Sequence, residues 1–340
     1  MRVTRQSLIR IAKETAQERA YNDKNIIAAY LTGSLLGEDA MLGGTTDIDL
    51  VFVQSGQPEH EREIVKLTPD FHLDILRRSR QVFKAPRELR ADPWLGYEMY
   101  DPTLLFEREK FFEFVQASLR AGFEFEGAPL VLQRSRALQA SARALWAELS
   151  EATEKAAPLQ IRKYLQAVYF AANSLAELNG APIPERRLLL EFPARIQPLE
   201  KPELFGELLG LVGASQINPE KIDRWISEWK DAFNAASQAE TADVRIHPAR
   251  FNYYDKAIKA MLGGETPIAA LWPLIQTWTL AAEVLTGEQL KFWRAACGDL
   301  ELGGASFAQR LQGLDHYLDE IDVLLEGYAA ANGLEAESRL

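Results

Sequence analysis

Two aspartates separated by one residue, Asp47-Ile48-Asp49, head the apolar run Leu50-Val51-Phe52-Val53. In a strand, alternation sends both carboxylates to one face and Ile48 to the other. Like charges held that close repel unless a cation sits between them. An all-oxygen donor set suits a hard divalent ion such as magnesium. A third acid, Asp74, lies in the middle of Phe71-His72-Leu73-Asp74-Ile75-Leu76, a second short strand pattern. If the two strands are neighbours, Asp47, Asp49 and Asp74 can share metal. Upstream stands Gly33-Ser34. Glycine lets a backbone approach a ligand closely, and Ser34 offers a hydroxyl and an N–H to phosphate oxygens. Three acids and a phosphate-cradling turn are the parts of a two-metal phosphoryl or nucleotidyl transfer site.

Such a site needs a sheet to hold it. Residues 26–31 (IIAAYL) form an apolar run expected to be a buried strand, ahead of the Gly-Ser turn. A glycine-bearing loop with a short helix at 36–41 then leads to Thr45-Thr46 and the Asp-x-Asp strand. Residues 64–67 and 71–76 are expected to pair as a hairpin, and 104–106 to be the last strand. The result is a mixed or antiparallel sheet of four or five strands with helices on one side. Residues 4–21 read as an amphipathic helix capped by Thr4. His72 is expected on the face opposite Asp74, in a core or surface role. Between the sheet and the next helix (110–121) lie two stretches open to two readings. Arg77, Arg78, Arg80, Lys84, Arg87 and Arg90 form either a solvated face or contacts to nucleotide phosphates. Residues 91–102 (ADPWLGYEMYDP) are loop-like, aromatic and acidic. They either rim the cleft, with Asp92 or Glu98 meeting a cationic acceptor, or pack between domains.

A boundary falls at Gly122–Pro129, and everything beyond reads as helix. Helices are expected at 130–155, 158–179, 184–196, 202–213, 218–238, 250–263, 267–286, 288–298 and 305–332, broken by Pro and Gly. The fold class is therefore α+β, with a sheet domain at 1–125 and an all-helical domain at 126–340. Trp225, Trp229, Tyr253, Tyr254, Trp272, Trp278 and Trp293 sit at helical spacing with aliphatics and read as core. Asp315, Asp319, Glu320 and Asp322 read as a solvated acidic helix face.

The formal net charge of −11 over 340 residues argues against a polyanionic nucleic-acid substrate and fits a cationic small molecule better. The lone Cys297 cannot form an internal disulfide and reads as buried filler. The first twenty residues show no apolar core of a secretory signal, and no apolar run has the length of a membrane span. A cytoplasmic protein is expected. The aromatic helices of the last third are candidates for a homodimer interface.

Gly33-Ser34, twelve intervening residues, Asp47-Ile48-Asp49 and a later strand carrying Asp74 together resemble the DNA polymerase β-like nucleotidyltransferase superfamily. The resemblance covers residues 25–76. The spacer is two residues longer than the common form, and Leu35 stands where the family often has arginine. The resemblance implies two magnesium ions on Asp47, Asp49 and Asp74, with ATP or another nucleoside triphosphate gripped by Gly33 and Ser34. Residues 160–170 (QIRKYLQAVYF) and 178–187 (LNGAPIPERR) look like the helical domain of aminoglycoside nucleotidyltransferases. By that likeness Arg162 or Lys163 reaches the triphosphate. The implied reaction moves AMP to a hydroxyl of a small-molecule acceptor. A protein-modifying adenylyltransferase, a nucleic-acid nucleotidyltransferase and a non-catalytic nucleotide-binding module of the same fold are the alternatives.

Overall fold

Strand β1 (Ile26–Thr32) is a nearly continuous apolar run and strand β2 (Thr46–Gln54) contains one at 50–53, and such runs need cover on both faces of a sheet. The computed structural model describes residues 3–37, 39–152 and 157–334, apart from the side chains of 124–126 and 216. Between Gly127 and Ala128 the chain divides into two compact units.

In the first unit, strands β3 (Arg62–Lys66), β4 (Phe71–Ser79) and β5 (Thr103–Glu107) complete a five-stranded mixed sheet of order β3-β4-β2-β1-β5. Only β2 and β4 run parallel, and β3 and β4 form the expected hairpin. Helices cover both faces, not one as the sequence pattern suggested. Helix α1 (Arg5–Asn22) packs Leu8, Ala12 and Ala16 against Ile48, Leu50 and Phe52. Its N-cap is Thr4, whose hydroxyl accepts from the Ser7 N–H at 3.2 Å. The opposite face carries Tyr30, Val51 and Val53. Against it pack Leu89 of helix α2 (Pro86–Ala91), Met99 of helix α3 (Leu95–Tyr100) and Phe112. Leu50-Val51-Phe52-Val53 sends apolar side chains both ways, so one layer of helices would leave half of them wet.

Two local expectations are corrected. The loop reading of 91–102 gives way to α3, which starts because the Asp92 carboxylate accepts the N–H groups of Trp94 (2.8 Å) and Leu95 (2.7 Å). The short helix at 36–41 is instead a single 3₁₀ turn at Ser34–Leu36, with residue 38 outside the described residues.

Helix α4 (Phe111–Glu151) is interrupted at Gly127, whose φ of 36° no other residue adopts cheaply, two residues before Pro129. Its expected end at 155 lies outside the described residues. In the second unit every element among the described residues is helical. These are α5 (Pro158–Ala176), α6 (Leu188–Ile196), α7 (Glu203–Leu211), α8 (Pro219–Ala236), α9 (Phe251–Leu262), α10 (Leu271–Ala282), α11 (Gly287–Asp299) and α12 (Ser306–Ala331). The starts follow the expected signals, with Pro158 and Pro219 at first-turn positions.

Helix α10 is buried along its whole length, with α5, α8, α9 and α11 packed on it. Two of its polar residues serve buried tryptophans. Trp229 Nε1 donates to Thr277 (2.9 Å) and Trp293 Nε1 to Thr279 (3.1 Å). Trp229, Tyr254, Trp272, Trp278 and Trp293 are core, as their spacing suggested, whereas Trp225 and Tyr253 are half-buried. Cys297 is buried too, and burial pushes its thiol well above the ordinary range. Among the described residues no helix is long and apolar enough to cross a membrane.

Candidate metal centre on the sheet

The parallel pairing of β2 and β4 sets Asp49 directly beside Asp74 and Asp47 beside His72. Neighbouring strands lie about 4.8 Å apart, and paired residues share a face. The three carboxylates therefore converge. One ligand oxygen from each of Asp47, Asp49 and Asp74 lies within 4.8 Å of the others, and among the described residues no other three such groups meet this way. Asp47 and Asp74 are buried, and Asp49 is half-buried. Buried acids this close need compensating cations. The oxygen-only donor set and its tight spacing fit a divalent metal.

The approach to β2 is built by glycine. Gly43 and Gly44 take φ of 65° and 76°, a type I′ pattern, and Thr45 N–H closes the turn on Leu42 C=O at 3.3 Å. The Thr45–Thr46 pair it delivers is fully buried. Gly33 is exposed with φ +79°, and a Cβ there would stand 1.9 Å from Asp49 Oδ2. The close approach that demands glycine is thus to a carboxylate of the cluster. The Ser34 and Thr46 hydroxyls are hydrogen-bonded at 3.1 Å, tying the Gly-Ser turn to the start of β2. Arg5 of α1 holds the same turn, its guanidinium donating to the carbonyls of Leu35 (2.7 Å) and Leu36 (2.5 Å).

Arg62 is the residue that pattern reading passed over. Its Nε and Nη2 donate to the two oxygens of Asp74 at 2.7 and 2.6 Å, a bidentate fork. The sequence pattern starts this strand at Ile64 and places Arg62 before it. Strand β3 starts at Arg62, and Ile64 pairs with Asp74, so alternation brings the Arg62 side chain to the Asp74 face. That alternation was the available signal. His72 is likewise corrected. Residues two apart share a face, so His72 lies on the Asp74 side, fully buried next to Asp47.

The other candidates fall elsewhere. Glu98 accepts from Arg78 Nη1 and Nη2 at 2.7 and 2.9 Å and from Tyr30 Oη at 2.6 Å, which commits it structurally. Burial, then the Glu98 charge, raises the Tyr30 hydroxyl well above its ordinary range. Arg77 pairs with Glu63, which Arg19 also clasps. Arg80 and Lys84 line a cavity of about 780 Å³ with Phe83, Phe111 and Phe114, and none of the three acids borders it. In the second unit Arg162 bonds Glu283 (2.9 Å) and Asp243 (3.2 Å), and Lys163 pairs with Glu148. The structure thus brings Asp47, Asp49, Asp74, Gly33 and Ser34 together, while Arg162 and Lys163 are held by acids of their own unit. The chain matches no family model and no curated protein.

Proposed function

We propose that this chain is a magnesium-dependent nucleotidyltransferase of the polymerase β-like kind. It would move a nucleoside monophosphate, AMP from ATP in the first instance, to a hydroxyl of a small-molecule acceptor. The observation that carries this reading is the convergence of three carboxylates beside an exposed Gly-Ser turn. Asp47 and Asp49 would bind both magnesium ions, and Asp74 would complete the second position or take the acceptor's proton. Bound magnesium would favour the acceptor alkoxide and offset charge on the in-line transition state. Gly33 and Ser34 would hold the β- and γ-phosphates. The acceptor oxygen bonds to the α-phosphorus, the bond to the bridging oxygen breaks, and pyrophosphate leaves. Lys163 would have to exchange Glu148 for phosphate to take the part its family likeness suggests. The charge of −11 supports a cationic acceptor of the aminoglycoside kind over a nucleic acid. The absence of a membrane-spanning helix among the described residues is compatible with the expected cytoplasmic setting.

Calorimetric titration tests the reading. ATP and a non-hydrolysable analogue are added to wild type and to Asp47→Asn/Asp49→Asn, with and without magnesium. Magnesium-dependent binding that disappears in the double variant is the expected result. Equal binding in both proteins, or full nucleotidyl transfer by Asp49→Ala, overturns it. The Arg62 fork favours one second reading, a nucleotide-binding module without turnover. That reading predicts magnesium-dependent binding with no pyrophosphate release across an acceptor screen.

A further inference from the structure

The cluster combines three acids with one arginine fork, and the fork occupies both oxygens of Asp74. We propose that Arg62 is an internal counter-ion that holds Asp74 until a divalent cation enters, so that metal uptake and the Arg62–Asp74 pair compete. This rests on the metal-binding reading of Asp47, Asp49 and Asp74.

Three features of the chain carry it. The first is the fork itself. Two hydrogen bonds at 2.7 and 2.6 Å direct a delocalised positive charge at the carboxylate that a metal ion would share. Guanidinium and metal are like charges, and beside the buried Asp74 carboxylate their repulsion is only partly screened. The second is the ease of release. Arg62 is the first residue of an edge strand, and its side chain is 39% exposed while that of Asp74 is 3% exposed. The arginine can leave, whereas the aspartate stays in the sheet. The third is a place to go. Arg62 also borders a cavity of about 570 Å³ whose acidic lining is Asp23, Glu59 and Glu63. Asp23 accepts from Asn25 N–H and Gln54, and Glu63 is engaged by Arg19 and Arg77. Glu59 lines the same cavity and is exposed. The fork closed on Asp74 and the side chain released into this acid-lined cavity are the two states whose balance a bound metal would shift.

Two consequences follow. The metal-free chain keeps its acids folded together because Arg62 offsets part of their repulsion. The apparent metal affinity is lowered by the fraction of molecules in which the fork is closed.

The experiment titrates magnesium and manganese at constant ionic strength into wild type, Arg62→Ala, Arg62→Lys and Asp49→Asn. Each protein's thermal midpoint is also recorded in chelator and in saturating metal. Arg62→Ala is expected to bind metal at least about fivefold more tightly than wild type, within the range typical of coupled sites. Its midpoint in chelator falls, and the rise on adding metal exceeds that of wild type. Arg62→Lys, which keeps the charge and loses the fork, lies between. Equal or weaker binding by Arg62→Ala overturns the competition and makes Arg62 a positioning residue for Asp74. Asp49→Asn separates the two ideas, because metal uptake by wild type that is lost in this variant sustains the metal site whatever Arg62→Ala does. If neither wild type nor Arg62→Ala takes up metal, both fall. Should Arg62→Ala not fold, Arg62→Gln removes the charge and keeps a hydrogen-bonding head, and the same comparison applies.

Discussion

The sheet of the first unit and helix α12 of the second each carry three aspartates, and the two sets end in opposite states. On α12, Asp315, Asp319 and Asp322 repeat at helical intervals along one face. The outer two are seven residues apart, about 10 Å along the axis. One arginine, Arg143, answers all three, reaching Asp315 at 2.7 Å, Asp322 at 3.1 Å and Asp319 as well. The face is solvated as expected, and Arg143 adds ion pairs to it. The acids stay 40%, 67% and 50% exposed, so water shares the work. On the sheet the same number of acids converges within 4.8 Å, with two of them buried. A third arrangement lies between α7 and α12. There the Glu207 carboxyl is raised to about 7 by burial and then by its contact with Glu320, with His316 opposing the shift. The number of acids therefore does not define a metal site. Convergence and burial are what single out the candidate on the sheet.

Several changes would break this contrast, and the strongest acts on the sheet. On the proposed reading, Asp49→Ala is expected to weaken magnesium-dependent nucleotide binding by about 100-fold or more, because it would remove a ligand rather than a ligand's support. Calorimetry reads the loss.

Gly33→Ala is next. Its methyl would collide with Asp49 Oδ2 and would sit at φ +79°. The expected cost is about 1–3 kcal/mol in denaturant unfolding, together with weakened metal uptake, although no ligand is removed.

The pH dependence of the thermal midpoint sharpens the comparison of paired with unpaired acids. Arg19 hydrogen bonds, helped by Arg77, hold Glu63 at about 2 against a usual 4.5. Its contribution is present above pH 4.5 and is lost as pH falls toward 2. Glu207 has the opposite sign. Its folded value of about 7 exceeds 4.5, so the folded chain holds a proton the unfolded chain has released. Its contribution is full below pH 4.5 and is lost as pH rises to 7. Glu63→Gln should flatten the acid flank of the profile and Glu207→Gln the flank between pH 4.5 and 7. A profile unchanged by both substitutions contradicts the assignment.

The smallest effect belongs to α12. Arg143→Ala should cost no more than about 1 kcal/mol and leave metal binding untouched, since its partners are largely solvated. A loss of metal binding there would erase the distinction between the two acid sets.

Much of the architecture was legible residue by residue. The Asp-Ile-Asp alternation marked β2, an apolar run marked β1, a short strand pattern around Asp74 marked β4, and Pro and Gly marked the ends of α5, α8 and α9. These are local signals, because backbone geometry alone sets which side chains share a face. The same alternation placed Asp47 and Asp49 together. It also held the information on Arg62 and His72, which a misplaced strand start and a miscounted face obscured.

What the chain order could not decide is who meets whom. The pairing of β2 with β4 rather than β1 with β4 sets Asp49 beside Asp74, and that follows from how the sheet closes. The second helical layer, the Arg143 network and the Arg162–Asp243–Glu283 group join residues far apart in sequence. The sequence by itself determined the acid types, their spacing and the strands that carry them. Only the tertiary structure decided that three carboxylates meet, that Arg62 closes on one of them, and that the cations of α5 are already engaged. Local sterics repeat along a chain, whereas charge compensation depends on which distant side chain burial brings within a few ångströms.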